Sequence, residues 1–457
     1  MRPRHLLLLF IVVLYSLLGA LFAVRTPAWQ APDEPAHYNY IRFVATTGGF
    51  PVLQMGDYPH AYLEEIKSRK FPAELSIEPI RYEFHQPPLY YALLAPIYRL
   101  VQGALLPMRL CSVLLGAGVV LMAYAIARRL APRRADLSLA TAAFVAFLPQ
   151  HLATVAQVGN DVLAELLFAV VLYFLIGWTL RPERQGGRAL FVLGSVLGLI
   201  LITKTTAYIA VPLVGGVLIW HWWRARANLR RIAVDAALIV GPTALIALPW
   251  YARNLAIYGW PDFLGLIRHD QIVVGQMRTG EFLAQMGWGV YLRRAVEFTF
   301  KSFWGVFGWL GVFMDSRIYF ALALFSGLAA AGAAWRALSD VSRLTLDAPF
   351  RRALVLLSAS VLLTLLTYVW YNAQFVQHQG RYLFTALIPL ALAVAAGWDA
   401  AVTPRVGRFL AVGLGVLVVA LAAWGILSRA GLPKWPLAIT IAWAAGMLFC
   451  DVGPVVV

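Results

Sequence analysis

Long apolar runs, separated by polar segments, make up most of the chain. The first run covers residues 6–24 and follows Arg2 and Arg4, which fits a first membrane span or a cleaved signal peptide; we favour the span. A helix needs about 20 mostly apolar residues to cross a bilayer. The later runs centre on residues 110–126, 137–148, 162–180, 190–202, 207–220, 232–250, 318–334, 353–370, 382–398, 409–426 and 435–450. The pattern therefore predicts an all-α polytopic membrane protein with about 12 transmembrane helices.

Composition agrees with this prediction. The 457 residues are 61% hydrophobic and 13% charged, with a mean hydropathy of +0.72, whereas soluble domains are closer to half apolar. The net charge of +16 could indicate nucleic-acid binding, but acids and bases occupy different inter-span segments, which is typical of an oriented membrane protein. Cys111 and Cys450 each lie in an apolar run, so we expect neither a disulfide framework nor a thiolate metal site.

The arginine distribution predicts the topology, because loops rich in Arg and Lys stay on the cytoplasmic side. Arginine clusters occur at the N-terminus and in alternate loops, and the remaining loops are acidic. We therefore expect cytoplasmic termini in a plasma or inner membrane and two long external loops, at residues 25–107 and 251–317. If residues 89–101 were a span, the arginine cluster that follows the next span would lie on the external side. These residues are therefore predicted to form an amphipathic juxtamembrane helix. Residues 1–457 would form a single membrane domain.

Candidate chemistry begins directly after the first span, where Asp33 and Glu34 precede Pro35. Proline suits the first position of a helix, so a helix is predicted to start here and to end near residue 46. His37 would then face the same side as Asp33. One of the two carboxylates can cap the helix, and the other would be free to act as a general base on the external side.

Two further polar motifs occur on the predicted external side. Pro87-Pro88 ends the first loop and forces the preceding residues into extended conformations, which would fix His85 and Gln86 in a structural turn or in a substrate site. Asn160 and Asp161 begin a later span, where an acidic residue is either an ordinary helix start or a functional group. We expect function here, because two acidic helix starts could face a common cavity.

Three cations on the external side, Lys204, Arg253 and Arg381, run against the positive-inside trend. Each one alone could extend to lipid phosphates, whereas a convergent set would form a phosphate-binding site. The external histidines show no zinc-type spacing, and the chain lacks Walker, dinucleotide and nucleophile-elbow motifs. We therefore expect no required cofactor, with a divalent metal as an option.

Together these motifs resemble the GT-C glycosyltransferases: Asp33-Glu34, His85-Gln86-Pro87-Pro88, Asn160-Asp161 and Gln379-Gly380-Arg381-Tyr382. More narrowly, the chain is similar to the bacterial relatives of the protein O-mannosyltransferases and of the lipid A aminoarabinose transferases, which use polyprenyl-phosphate sugars as donors. The resemblance covers most of the chain and is strongest over residues 1–180. It implies a GT-C-like fold and a lipid-linked sugar donor.

The resemblance also implies roles for individual residues. It makes Asp33 the catalytic base or acceptor-orienting residue, with Glu34 as its partner, and maps the family's second external acidic position onto Asp161. Donor-phosphate contacts would come from Lys204, Arg253 or Arg381. Apart from the resemblance, the positions of the motifs make the following residues our candidates for substrate binding: His37, His85, Gln86, Asn160 and Asp161. The chain departs from the aminoarabinose transferases at Gln86, where they have a lysine. It also lacks the soluble luminal domain of the eukaryotic mannosyltransferases, so a protein acceptor is not implied.

The predicted function is inverting transfer of a hexosyl or pentosyl group from a lipid phosphate to an acceptor of unknown type on the outer face. The main alternative is a transporter or flippase of lipid-linked saccharides, which would need the same apolar path and phosphate-binding cations. Alternating access should, however, leave polar groups near the bilayer midplane, where this chain has few charges. A non-catalytic scaffold or a polymer ligase is a third possibility.

Overall fold

The computed structural model describes residues 3–181, 186–343 and 347–402, and these residues are mostly helical. The helices are α1 (Pro3–Arg25), α2 (Glu34–Thr47), α3 (His60–Ser68), α4 (Leu89–Leu100), α5 (Leu105–Leu130), α6 (Ala135–Phe147), α7 (Pro149–Val155), α8 (Asp161–Leu180), α9 (Gly187–Leu201), α10 (Ala210–Arg224), α11 (Leu229–Tyr258), α12 (Leu266–Ile272), α13 (Thr279–Trp304), α14 (Ser316–Arg343), α15 (Ala348–Gln374) and α16 (Leu387–Ala401). Short 3-10 helices cover Tyr82–His85, Thr205–Ile209 and Gly380–Ala386, and a small antiparallel hairpin joins β1 (Val306–Phe307) to β2 (Val312–Phe313).

The predicted apolar runs agree with the observed helices throughout the described residues. Among the described residues, eight helices are long and apolar enough to cross a membrane, or nine if α6 and α7 form one span bent by 62°. The bend occurs before Pro149, which has no backbone N–H to continue the hydrogen-bond ladder. Helix α9 is apolar but shorter. The runs predicted at 409–426 and 435–450 lie outside the described residues, so the count of about 12 spans stays a prediction.

Both helices predicted in the first loop are present. Helix α2 ends at Gly48, whose φ of 73° is left-handed and suits glycine. Helix α4 occupies the segment predicted to be juxtamembrane and packs against α2. The expected cap of α2 is wrong, because the Asp33 side chain makes no cap hydrogen bond and the Glu34 side chain is bound elsewhere. Neither carboxylate therefore serves as the cap of α2, and both make contacts with other segments.

The helical core is organised around α5, which packs against α1, α6 and α8. Helix α9 packs along α11, and α14 packs along α16. The α9–α11 contact is close at Gly194, where an added Cβ would lie 2.4 Å from the carbonyl oxygen of Ile239. A side chain at this position would push the two helices apart.

Gly194→Ala should lower the free energy of unfolding by about 1–3 kcal/mol, because overpacking forces a backbone shift. Gly216→Ala on α10 is the matched control, since its new Cβ would meet no atom within 4 Å. Thermal unfolding in detergent measures both variants. We expect a lower melting temperature for Gly194→Ala only, and equal melting temperatures for the two variants would contradict the α9–α11 contact.

Candidate functional site

Asp33 is held from two directions at the start of α2. Its backbone φ of 69° is left-handed, a conformation that is rare outside glycine and that concentrates at functional sites. The Tyr82 hydroxyl donates to Oδ1 at 2.8 Å, and the Arg381 guanidinium donates to Oδ2 at 2.5 Å. Burial alone would raise the pKa of Asp33, but the charges of Arg381 and His37 and the hydrogen bonds from Arg381 and Tyr82 outweigh it and lower the pKa to about 2. Asp33 is therefore ionised.

His37, one turn into α2, is within electrostatic reach of several charged groups. It is buried, and its Nδ1 is 2.8 Å from the Tyr91 hydroxyl. Burial lowers the pKa of His37, so the ring is neutral near neutral pH. The groups that act on the ring electrostatically are Glu83, Lys204, Asp33 and Asp161. One imidazole is thus influenced by charged groups from four separate segments of the chain.

Asp161 and Lys204 form the second ion pair of the site. Lys204, between α9 and α10, donates to Asp161 at 2.7 Å and to Asn160 Oδ1 at 3.0 Å. The buried Asn160 amide donates in turn to Gln86 Oε1 at 3.2 Å and to the Thr203 carbonyl at 3.1 Å. This chain of hydrogen bonds fixes the start of α8 against the end of the first loop. Gln86 and Asn160, both predicted as site residues, are therefore in direct contact.

Glu34 faces a different part of the protein. It is fully buried and accepts from Arg109 Nε at 2.8 Å and Nη2 at 2.5 Å, and its Oε1 also accepts from the Val158 backbone at 3.1 Å. Arg109 donates further to the carbonyls of Ala23 and Thr26 at the end of α1. Within the described residues, no hydrogen bond joins Glu34 to Asp33. Its contacts join α1, α2, α5 and the segment before α8.

Two other predicted residues have contacts of their own. His85 Nδ1 donates to the Tyr82 carbonyl at 3.0 Å, and its ring lies 4.3 Å from the ring of His269; burial lowers the pKa of His85 to about 4. Arg253 donates to the carbonyls of Phe50 and Pro51, both at 2.8 Å, and so anchors the segment after α2. Neither contact reaches Asp33 or Asp161, and a phosphate-binding role for Arg253 stays a prediction.

Sequence reasoning missed three residues that organise the site: Tyr82, Glu83 and Arg109. Arg109 carried a signal, since an arginine inside an apolar run implies a buried partner. Tyr82 and Glu83 directly precede the His85-Gln86 motif, but no sequence feature separates Glu83 from the exposed glutamates of the same loop. The described residues contain no group of three His, Cys, Asp or Glu side chains arranged to hold a metal ion.

The chain is similar to known proteins in two comparisons, one with sequence models of protein families and one with solved structures. Residues 85–250 match the model of the dolichyl-phosphate-mannose-protein mannosyltransferase family, whereas no curated protein sequence matches the chain. The structure resembles that of ArnT from Cupriavidus metallidurans bound to undecaprenyl phosphate, with 16% identity, a TM-score of 0.50, and 97% of this chain and 69% of that chain covered.

Two structures of the Archaeoglobus fulgidus oligosaccharyltransferase are also similar. One, tethered with an acceptor peptide, has 14% identity and a TM-score of 0.51, and the match covers 96% of this chain and 53% of that chain. The other, AglB in complex with an inhibitory peptide and a dolichol-phosphate, has 13% identity and a TM-score of 0.50, with 96% and 55% covered. The chain thus spans about half the length of the oligosaccharyltransferase chains.

Proposed function

Because the chain has the fold of the GT-C membrane glycosyltransferases, as its sequence predicts, we propose that it transfers a sugar from a polyprenyl-phosphate donor to an acceptor on the outer face of the membrane. The observation that carries the proposal is the presence of two ion pairs, Asp33 with Arg381 and Asp161 with Lys204. Three of these four groups act electrostatically on the buried His37: Asp33, Asp161 and Lys204. Such a site offers cations for a phosphate and carboxylates for a hydroxyl proton. The matched ArnT and AglB structures contain lipid phosphates, which supports a donor of that class.

In the proposed reaction, Lys204 and Arg381 bind the donor phosphate and stabilise the charge that develops as it leaves. The acceptor hydroxyl attacks the anomeric carbon from the opposite face, so the configuration is inverted. The bond to the phosphate breaks, and its electron pair leaves with the lipid phosphate. Asp33 acts as the base or orients the hydroxyl, and a carboxylate of the site takes the proton. No cofactor is needed, since phosphate is a good leaving group.

The other predicted residues have supporting roles in this proposal. His37, His85, Gln86 and Asn160 would bind the sugar or the acceptor, and Asp161 would hold Lys204 in position between turnovers. Glu34, which the resemblance pairs with Asp33, would act from a distance by holding the segment before α8. The hydrogen bond of Asn160 to Gln86 would keep the two halves of the site together.

The test is a transfer assay of the native protein in nanodiscs with a panel of polyprenyl-phosphate sugars and candidate acceptors. Release of lipid phosphate together with an inverted glycoside supports the proposal. No transfer with any donor, but movement of a lipid-linked sugar across reconstituted vesicles, would instead assign the protein to the flippases.

Lys204→Met should weaken donor binding by about 10- to 100-fold, because a hydrogen bond to a charged group contributes about 1.5–3 kcal/mol. Lys67→Met is the matched control, because Lys67 lies on α3, away from Lys204, and pairs with the exposed Glu64. Lys204→Arg should restore part of the affinity. Donor titration measures all three proteins, and native affinity in Lys204→Met would remove Lys204 from the phosphate site.

A further inference from the structure

One oxygen atom in the candidate site has no partner. Glu83 Oε2 is buried and accepts no hydrogen bond within the described structure. The other side of this carboxyl group is hydrogen-bonded by the Gln86 side chain. A buried acceptor without a donor costs about 1–3 kcal/mol, so such an atom in a native fold calls for a ligand or a function.

Asp33 presents the opposite situation. Each of its carboxylate oxygens already accepts a strong hydrogen bond, from Tyr82 on one side and from Arg381 on the other. The adjacent guanidinium neutralises its charge and reduces its affinity for a further proton. Such a carboxylate is well suited to orient its neighbours and poorly suited to remove a proton.

The two carboxylates are neighbours through Tyr82. Glu83 follows Tyr82 in the 3-10 helix Tyr82–His85, and the Tyr82 hydroxyl donates to Asp33. Charged groups that act electrostatically on Glu83 are His37 on α2, Asp33 before it, and Lys204 between α9 and α10. Glu83 in turn acts on two titratable hydroxyls, those of Tyr91 on α4 and Tyr371 on α15. Glu83 thus belongs to the same site and has an oxygen that remains open.

We propose that Glu83 accepts the proton of the acceptor hydroxyl, and that Asp33 positions Arg381 and the hydroxyl. This inference rests on the proposed glycosyl transfer and deepens it. As the acceptor oxygen bonds to the anomeric carbon, its proton passes to Glu83 Oε2 and the lipid phosphate leaves with the electron pair. The protonated carboxyl group then returns its proton to solvent after the product has departed.

The electrostatics of the two groups support this division of roles. Burial raises the pKa of Glu83, with the charge of Asp33 acting in the same direction and those of His37 and Lys204 opposing it. A carboxylate with a raised pKa is the stronger base near neutral pH. Since only ionised Glu83 can accept a proton, transfer should fall as the pH drops through its pKa, above the ordinary value of 4.5. If Asp33 were the base instead, the acid limb of the pH profile, where the transfer rate falls, would lie near pH 2.

The experiment compares pH profiles of sugar transfer for the native protein, Glu83→Gln and Glu83→Asp. Glu83→Gln keeps the size of the side chain, and should lower kcat by about 100- to 10,000-fold, leave donor binding close to native and remove the acid limb. Glu83→Asp keeps a carboxylate and should retain both the limb and part of the rate. Glu78→Gln, at an exposed site paired with Arg42, is the control and should behave as native.

Each outcome bears on the inference. Thermal unfolding shows whether Glu83→Gln is folded, and Glu83→Asp gives the same information through its activity. A native rate in Glu83→Gln, or a slow rate with the acid limb unchanged, would overturn the role of Glu83 and leave the transferase proposal standing. Absence of transfer by the native protein with every donor would overturn both.

Discussion

Asp33→Asn should lower the rate of sugar transfer by about 1,000-fold while the protein remains folded. The asparagine has nearly the same shape, but it removes the negative charge that pairs with Arg381 and presents an amide N–H₂ group to donors. Arg381 would then lose its fixed orientation towards the donor phosphate. Initial rates at saturating donor measure the effect, and donor titration checks that binding persists.

Asp270→Asn provides the matched control for this substitution. Asp270 pairs with Arg278 at an exposed position, and its replacement should leave transfer close to native. More than a tenth of the native rate in Asp33→Asn would contradict the assigned role of Asp33.

The same substitution has a pH signature in stability. The pKa of Asp33 is about 2 in the folded protein against 3.8 for the free side chain, so its ionised form stabilises the fold above 3.8. That stabilisation should be lost as the pH falls from 3.8 towards 2. The difference in unfolding free energy between the native protein and Asp33→Asn should therefore shrink over this interval.

Glu34→Gln should produce the largest loss of stability, about 3–5 kcal/mol. Glu34 and Arg109 are both buried, and removing one charge leaves the other without compensation in the core. The glutamine NH₂ group would also replace one of the two acceptor oxygens of Glu34. It would then face either the Val158 N–H or the Arg109 guanidinium, and each of these is a donor. Thermal unfolding and the yield of folded protein measure the loss.

Two comparisons make this prediction specific. Glu64→Gln breaks an exposed pair with Lys67 and should cost at most about 1 kcal/mol. The double substitution Glu34→Leu with Arg109→Met removes both buried charges and should recover much of the stability that Glu34→Gln loses. Equal melting temperatures for Glu34→Gln and the native protein would contradict the structural role of this pair.

The helices could be predicted because their signals are local. An apolar run of sufficient length predicts a span, and Pro35 and Gly48 predict the start and end of α2. The sequence predicts an external turn at Pro149, but not the short helix α7 that begins there, because proline suits both a turn and the first position of a helix. Helix α13 was also missed, since its arginines and glutamates interrupt the apolar pattern of the second long loop.

The candidate site could be predicted only in part. Asp33 and Asp161 were found because each stands beside a helix start, where an acidic residue is noticeable. Which cation pairs with which carboxylate could not be deduced, because nothing in the local sequences around Lys204, Arg253 and Arg381 indicates their three-dimensional positions. Glu34 shows the same limit: its contact with Arg109 spans 75 residues and separates it from Asp33, its neighbour in sequence.

The ion pair between Asp33 and Arg381 joins residues 348 positions apart, and this has a consequence for biosynthesis. After α1 and α2 have been synthesised, the ribosome must add most of the chain before the Arg381 guanidinium emerges. Until then Asp33 and Tyr82 have no cation to complete their arrangement. A chain interrupted before the 3-10 helix Gly380–Ala386 would lack Arg381, so the proposed donor site would stay incomplete until this late segment has been synthesised.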